Sequence, residues 1–266
     1  MISAAPSIRI GTSGYSFADW VGPFYPAGMK RGALLAHYAQ HFDCVEVNAT
    51  YYRIPPPATL AAMGAKTPAG FVFLVKLHQS MTHARTDDAA IDREFRACLQ
   101  PLKDAGKYRG LLAQFPYGFK RDDSAKAHLE RLRERLGEEP LWVEFRHDSW
   151  MHPKLPGWLR ERRLGYCAVD EPALRGLVPP VTHLTTDIGY VRFHGRNERT
   201  WWGSAQGDRY DHEYSEAELT EWLERLRTLA QQAKQTYLFF NNCHAGQAAR
   251  SAKLMEELLR REKLLV

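Results

Sequence analysis

Glu144 and Arg146 stand two residues apart in L-W-V-E-F-R-H-D-S-W, Leu141 to Trp150. Trp142, Val143 and Phe145 favour a strand, and Pro140 precedes it. Residues two apart on a strand share a face, so an acid and a base project together beside apolar neighbours. Opposite charges at the end of a buried strand are costly to desolvate unless paired. The same grammar recurs with Arg192 and His194, with Glu46 and Asn48, and with Lys76 and His78. Gln114, Asp170 and Asn242 end three further apolar runs, and Tyr15, Trp20, Tyr51, Tyr52 and Trp150 lie nearby in sequence.

Those residue types suit acid–base chemistry on a small anionic or sugar-like, polyhydroxylated ligand. Arg146 and Arg192 would clamp a carboxylate or phosphate. Glu144 and Glu46 would supply a base and its electrostatic partner, His194 would relay or donate a proton, and Asp170 adds a further catalytic carboxylate. Lys76 could form a Schiff base, or pair with Glu46 or Glu144. Asn48, His78, Asn242, Tyr15, Trp20, Tyr51 and Trp150 would bind the ligand, and the loop bearing Trp201 and Trp202 would act as a lid. No cofactor is expected. A divalent metal on Glu46, Glu144, Asp170 and His194 is the weaker alternative, because Lys76, Arg146 and Arg192 should share the same space and oppose it. No H-x-H or H-E-x-x-H spacing occurs. Cys243 beside His244 could suggest a thiol with its base, but chain neighbours usually point apart.

Positioning such a set requires many strand ends at one place. Strands are expected at Ile8–Gly11, Cys44–Val47, Phe71–Lys76, Leu111–Phe115, from Leu141, at Gly165–Val169, Tyr190–His194 and Tyr237–Phe240. Between them, helical spacing is read near Leu34–Phe42, Thr59–Lys66, Ile91–Ala105, Ser124–Leu136, Leu155–Arg163, from Ser215 to about Lys234, and Gln247–Glu262. Ser215 and Glu218 make a capping box. Two connections are irregular. Pro172–Ile188, before the seventh strand, offers helix only at Ala173–Leu177, and Pro179-Pro180 ends it. Gly195–Tyr214, after the seventh strand, is a long aperiodic loop of the kind that is more often functional than idle. Eight short strands alternating with helices in 266 residues point to a single-domain (β/α)₈ TIM barrel spanning 1–266, whose active site lies at the C-terminal strand ends. A doubly wound open sheet is the rival, but the first strand-to-helix turn lacks G-x-G-x-x-G.

The chain carries 36 Lys and Arg against 31 Asp and Glu, a net charge of +5 with no polycationic arm. A solvated surface accounts for that excess, and polyanionic ligands remain open. The four cysteines, Cys44, Cys98, Cys167 and Cys243, form no C-x-x-C pair, which speaks against a disulfide scaffold or zinc ribbon. Met1–Ser7 lacks the features of a signal peptide, and no apolar window is long enough for a membrane span. A cytoplasmic protein of undetermined oligomeric state, with no membrane partner, is expected.

In order along the chain stand I-G-T-S-G-Y (Ile10–Tyr15), V-E-V-N-A-T-Y-Y (Val45–Tyr52), F-R-H-D-S-W (Phe145–Trp150), Y-V-R-F-H-G-R (Tyr190–Arg196) and F-N-N-C-H-A-G (Phe240–Gly246). This set resembles the DUF72, or YecE-like, family. The resemblance implies a TIM barrel and no particular reaction. Its fold-level likeness to endonuclease IV-like barrels leaves a second reading, a nucleic-acid-binding protein whose aromatic, cationic mouth takes single strands. A scaffold with a vestigial site is the third.

Overall fold

The computed structural model describes residues 7–203 and 208–265. The residues before Ser7, where the signal-peptide reading falls, and 204–207 of the long loop lie outside the described residues. Eight strands close into a parallel barrel in sequence order. They are β1 (Ser7–Ser13), β2 (Cys44–Val47), β3 (Val72–Lys76), β4 (Tyr108–Gln114), β5 (Leu141–Glu144), β6 (Gly165–Asp170), β7 (Ile188–Phe193) and β8 (Gln235–Phe240). β1 pairs with both β2 and β8, which closes the ring.

Alternation along each strand sorts the side chains. Cys44, Val72, Leu74, Leu112, Trp142, Cys167, Tyr190, Tyr237 and Phe239 form one buried cluster, the barrel interior. Their neighbours, such as Val45, Phe73, Leu111, Val143, Val191 and Leu238, belong to the larger cluster between strands and helices. Parallel strands covered on both faces read as nearly unbroken apolar runs, as at Phe71–Val75. Trp142 fills the interior only because two neighbouring strands carry glycine. A Cβ at Gly165 or at Gly110, which also adopts φ +140°, would collide with the indole.

The helices follow the apolar stripes with boundary shifts of a few residues, for example Ala89–Asp104, Asp123–Leu136 and Gln247–Arg261. Asp88 and Asp122 cap the first two through backbone N–H groups. The Ser215–Glu218 capping box is present, and Glu216–Thr220 precedes a second helix, Leu223–Gln232. Ala173–Leu177 does not become a helix: β6 joins β7 through turns, as Pro172, Pro179, Pro180 and the short apolar run permit. No helix among the described residues is long and apolar enough to cross a membrane.

Candidate functional site

Beyond the apolar interior, at the C-terminal strand ends, the inward face turns polar. Glu46 follows Cys44, Glu144 follows Trp142, and Arg192 follows Tyr190, each two residues on. All three are buried. Arg192 donates from Nη1 to Glu144 Oε2 at 2.5 Å and from Nη2 to Glu46 Oε1 at 2.8 Å, with Ser13 Oγ at 3.3 Å. Tyr190 donates its hydroxyl to Glu46 Oε2 at 2.5 Å. Arg146 Nε pairs with Glu144 Oε1, and its Nη1 reaches Glu171 Oε2 at 3.1 Å. Burial alone would raise the Glu144 carboxyl, but Arg146, Arg192 and His194 overcome it and hold the group well below the usual range. The result is a closed chain of ions in which each carboxylate has a guanidinium partner.

His194 is fully buried beside that chain. Its Nε2 lies 3.2 Å from Glu144 Oε1, and Nδ1 faces Asn241 Nδ2 at 3.1 Å and Arg146 Nη2 at 3.5 Å. Burial, with Arg146 next to it, lowers the imidazole to about 3, so it is neutral at pH 7. Glu171 goes the other way. Burial and the nearby Glu144 push its carboxyl up to about 7 against the pull of Arg146.

Above this floor lie two cavities. One, of about 580 Å³, is bounded by Ser13, Asp19, Asn48, Asn241, Cys243 and His244 among others. The second, of about 410 Å³, is bounded by Tyr51, Lys76, His83, Gln114, Tyr117, Arg146, Trp201 and Trp202 among others. Tyr52, Arg209 and Tyr210 border both, so this trio stands between two chambers of one mouth. Trp201 is buried over Arg146, its ring 5.9 Å from the guanidinium, while Trp202 is 48% exposed.

Lys76, half-buried, sits in the smaller chamber. Its Nζ donates to Gln114 Oε1 at 2.7 Å and lies 4.4 Å from the centre of the Tyr51 ring. Gln114 Nε2 donates to the Phe115 carbonyl at 2.7 Å, which fixes the amide with its oxygen toward the lysine. No described carboxylate forms an ion pair with Lys76, and burial together with Arg192 brings its amine down to about 7. His83 stands on the same wall, its ring 5.0 Å from that of Tyr51, and burial with Lys76 and Arg146 lowers it to about 4.

The structure thus brings together Glu46, Asn48, Tyr51, Lys76, Glu144, Arg146, Arg192 and His194. It turns others away. Asp170 pairs in register with Phe193, on the outer face of β6. Its carboxylate accepts from Tyr214 Oη at 2.6 Å, Trp222 Nε1 at 2.6 Å and Arg196 Nη2 at 2.7 Å, so it ties the loop and helices to the barrel. The carboxylate that faces inward is Glu171. Asn242 likewise faces the helices, donating to the His212 carbonyl at 2.8 Å and Ser251 Oγ at 3.1 Å, and Asn241 takes the inward place. His78 leaves the strand after Lys76 and caps the helix Gln79–Thr82, where its Nδ1 accepts from Ser80 N–H. Trp150 is stacked on Phe145 at 4.2 Å and donates to the Phe119 carbonyl, and Trp20 is buried against Phe17 and donates to the Cys243 carbonyl. Both are core residues. Tyr15 is half-buried near Tyr38 and borders neither chamber.

Ser13, Glu171, Tyr190 and Asn241 could have been found by stepping in twos from Gly11, Val169, Arg192 and Phe239. His83, at the end of the helix Gln79–Thr82, and Arg209 and Tyr210, in the 3-10 turn Asp208–Tyr210, carry no such signal. Among the described residues no three His, Cys, Asp or Glu side chains are grouped to hold a metal ion. All four cysteines are free thiols, and burial pushes Cys243 well up.

Comparison with known proteins agrees with this architecture. The family model described as protein of unknown function DUF72 matches residues 9–265. UPF0759 protein YunF of Bacillus subtilis is 32% identical, over 95% of this chain and 94% of its own. The crystal structure of a DUF72 family protein from Thermotoga maritima is 40% identical with a TM-score of 0.88, covering 96% of this chain and 99% of the other. One from Enterococcus faecalis is 26% identical with a TM-score of 0.84, covering 95% of each.

Proposed function

The chain belongs to the DUF72 family, and from that premise we propose that this member is an enzyme that moves protons on a small anionic or polyhydroxylated molecule bound in the smaller chamber at the barrel mouth. One observation carries the reading. The buried carboxylates Glu46 and Glu144 are matched by Arg192 and Arg146, which leaves Lys76 on the chamber wall with a neutral amide as partner and an amine brought to about 7. A group that titrates near the working pH is the efficient proton carrier. A chamber of about 410 Å³ has the size of a metabolite site. The anionic part of the ligand faces Arg146 and the rim residue Arg209, and aromatic rings cover the rest.

Roles read from the sequence shift accordingly. Glu144, Glu46 and Arg192 hold the floor rather than touch the ligand, because the two carboxylates and the Arg192 Nη1 and Nη2 atoms already face one another. His194, neutral and fully buried, supports Glu144 and Arg146. The test is the titration of Lys76 itself. Acetylation of the intact protein with dilute acetic anhydride across pH 5 to 11, read by peptide mass spectrometry, should show half-maximal Lys76 reactivity near pH 7. Surface lysines should follow at about 10.4. Lys76 titrating with the surface lysines overturns the proposal.

A nucleic-acid reading has one observation in its favour: Tyr52, 74% exposed, and Trp202 flank Arg209 on the rim, which would suit base stacking beside a cation. That reading requires single-strand binding that weakens steeply with salt. A gel shift that is absent or indifferent to salt removes it.

A further inference from the structure

We infer that Lys76 is a nucleophile as well as a proton carrier, and that the smaller chamber takes small aldehydes or ketones bearing a carboxylate or phosphate as covalent Schiff-base adducts. The inference rests on the proposed site and specifies its substrate class. Its support is an arrangement of three unlike groups around one space. The amine of Lys76 is aimed by Gln114 Oε1 at 2.7 Å, an acceptor that asks for one N–H and no positive charge. Pairing with a carboxylate would have fixed the nitrogen as ammonium. Every described carboxylate near it is instead turned to arginine or tyrosine. A neutral amine so held keeps its lone pair and its second hydrogen for the chamber.

Arg146 on the adjoining wall supplies the charge that selects an anionic carbonyl compound over a neutral one. Among the described residues its Nη2 is the least engaged of its nitrogens, meeting His194 Nδ1 at 3.5 Å. His83, neutral on the same wall, is the proton relay. The Lys76 nitrogen forms a bond to the carbonyl carbon, and the C=O π pair moves onto oxygen. His83 takes a proton from the nitrogen, now positively charged, and returns it to that oxygen. The hydroxyl accepts a second proton from solvent and departs as water, while the nitrogen lone pair forms C=N. One amine, one carbonyl and one proton become one iminium and one water. No oxidant or cofactor is required. An iminium acidifies the adjacent C–H, which is the chemistry of lyases and isomerases that act beside a carbonyl. Trp201 above Arg146 limits solvent access to that carbon.

The experiment incubates the intact protein at pH 7 with glyoxylate, or with acetaldehyde as the uncharged control, and sodium cyanoborohydride. Adducts are located by peptide mass spectrometry. The amine fraction at pH 7 is roughly a thousandfold larger for a pKa near 7 than for one of about 10.4, so even with a less nucleophilic nitrogen glyoxylate should label Lys76 at least about tenfold faster than any surface lysine. It should also label Lys76 faster than acetaldehyde does. His83→Gln should slow Lys76 labelling by about a hundredfold without moving its acetylation midpoint, and an unchanged rate removes His83 from the relay. A Lys76 that is acetylated with a midpoint near pH 7 but gains no adduct overturns the covalent step and leaves the proton-transfer reading standing. A Lys76 that behaves as a surface lysine in both measurements overturns both.

Discussion

Two layers of the same mouth use charge in opposite ways. In the floor, Glu46, Glu144, Arg146 and Arg192 satisfy one another at hydrogen-bond distance, away from solvent. In the chamber above, Lys76 meets a neutral amide and an aromatic ring, and among the described residues no carboxylate forms an ion pair with it. Charged residues at barrel strand ends therefore fall into two kinds. A closed network fixes geometry, holding the Glu144 carboxyl low and the Arg146 and Arg192 guanidinia high. A group left outside the network has its pKa moved toward neutrality by the same burial. The floor also shapes the chamber, since the positive charge of Arg192 is part of what lowers Lys76.

The comparison breaks first at Glu144. Replacing it with Gln removes the carboxylate that Arg146 and Arg192 share, leaving Arg192 with Glu46 and Arg146 with Glu171. Losing one member of a buried pair costs roughly 3–5 kcal/mol, to be read as the loss of unfolding free energy in urea. Combining Glu144→Gln with Arg192→Met should cost clearly less than the sum of the single changes, because the two act as one unit. Strict additivity would mean that the floor is not a closed network.

Asp170→Asn probes a second closed cluster, on the outer face. Its carboxylate collects donors from Arg196, Tyr214 and Trp222, and an amide brings its own donors into that crowd. About 2–3 kcal/mol of stability should be lost, while glyoxylate trapping at Lys76 in the folded fraction stays at the wild-type rate. A lost trapping rate with unchanged stability would place Asp170 in the chamber after all.

The misplaced residues show where sequence loses its grip. The barrel was legible because eight apolar runs, spaced by amphipathic helices, each report a period that burial enforces. The floor was legible for the same reason: Glu46, Glu144 and Arg192 sit two residues beyond interior side chains. Errors arose where a strand ends next to two polar residues of similar type. Asp170-Glu171 and Asn241-Asn242 each offer both faces, and only counting in twos from Cys167 or Phe239 chooses the inward one. His78 obeys the alternation, yet the backbone leaves the strand after Lys76 and spends the imidazole on a cap. Trp20 and Trp150 were drawn to the mouth by residue type, but large rings near strand ends also fill the layer between strands and helices. The partners of Lys76 were open in sequence, because Gln114 lies on the neighbouring strand and only register brings them together.

Lys76→Met sharpens the contrast from the chamber side, with the opposite sign to Glu144→Gln. The folded amine titrates near 7 and the unfolded one at 10.5. A depressed pKa contributes fully only above the unfolded value, and the contribution is lost as pH falls toward the folded value. Below about pH 7 the charged lysine is therefore a standing cost that methionine removes. The variant should be more stable than wild type by about 0.5–2 kcal/mol at pH 6, and the gain should shrink as pH rises from 7 toward 10.5. Thermal unfolding at pH 6 and pH 10 measures it. A destabilised variant would show Lys76 to be a structural cation like those of the floor, and a gain that does not vary with pH would show that its amine is not shifted.

The smallest effect on stability is expected at the rim, where two adjacent tryptophans repeat the contrast within one loop. Trp201 is 2% exposed and lies over Arg146, whereas Trp202 is 48% exposed and meets Tyr117 edge-on at 4.7 Å. Trp202→Ala removes little buried surface, so its unfolding free energy should stay within about 0.5 kcal/mol of wild type. Trp201→Ala opens a buried space and should cost several times more. The two should agree on function, since both rings border the smaller chamber. Each substitution should let water reach Lys76 and move its acetylation midpoint upward, Trp201→Ala further than Trp202→Ala. A midpoint unmoved by either change would mean that the floor and the strand, rather than the two tryptophans, set the environment of that amine.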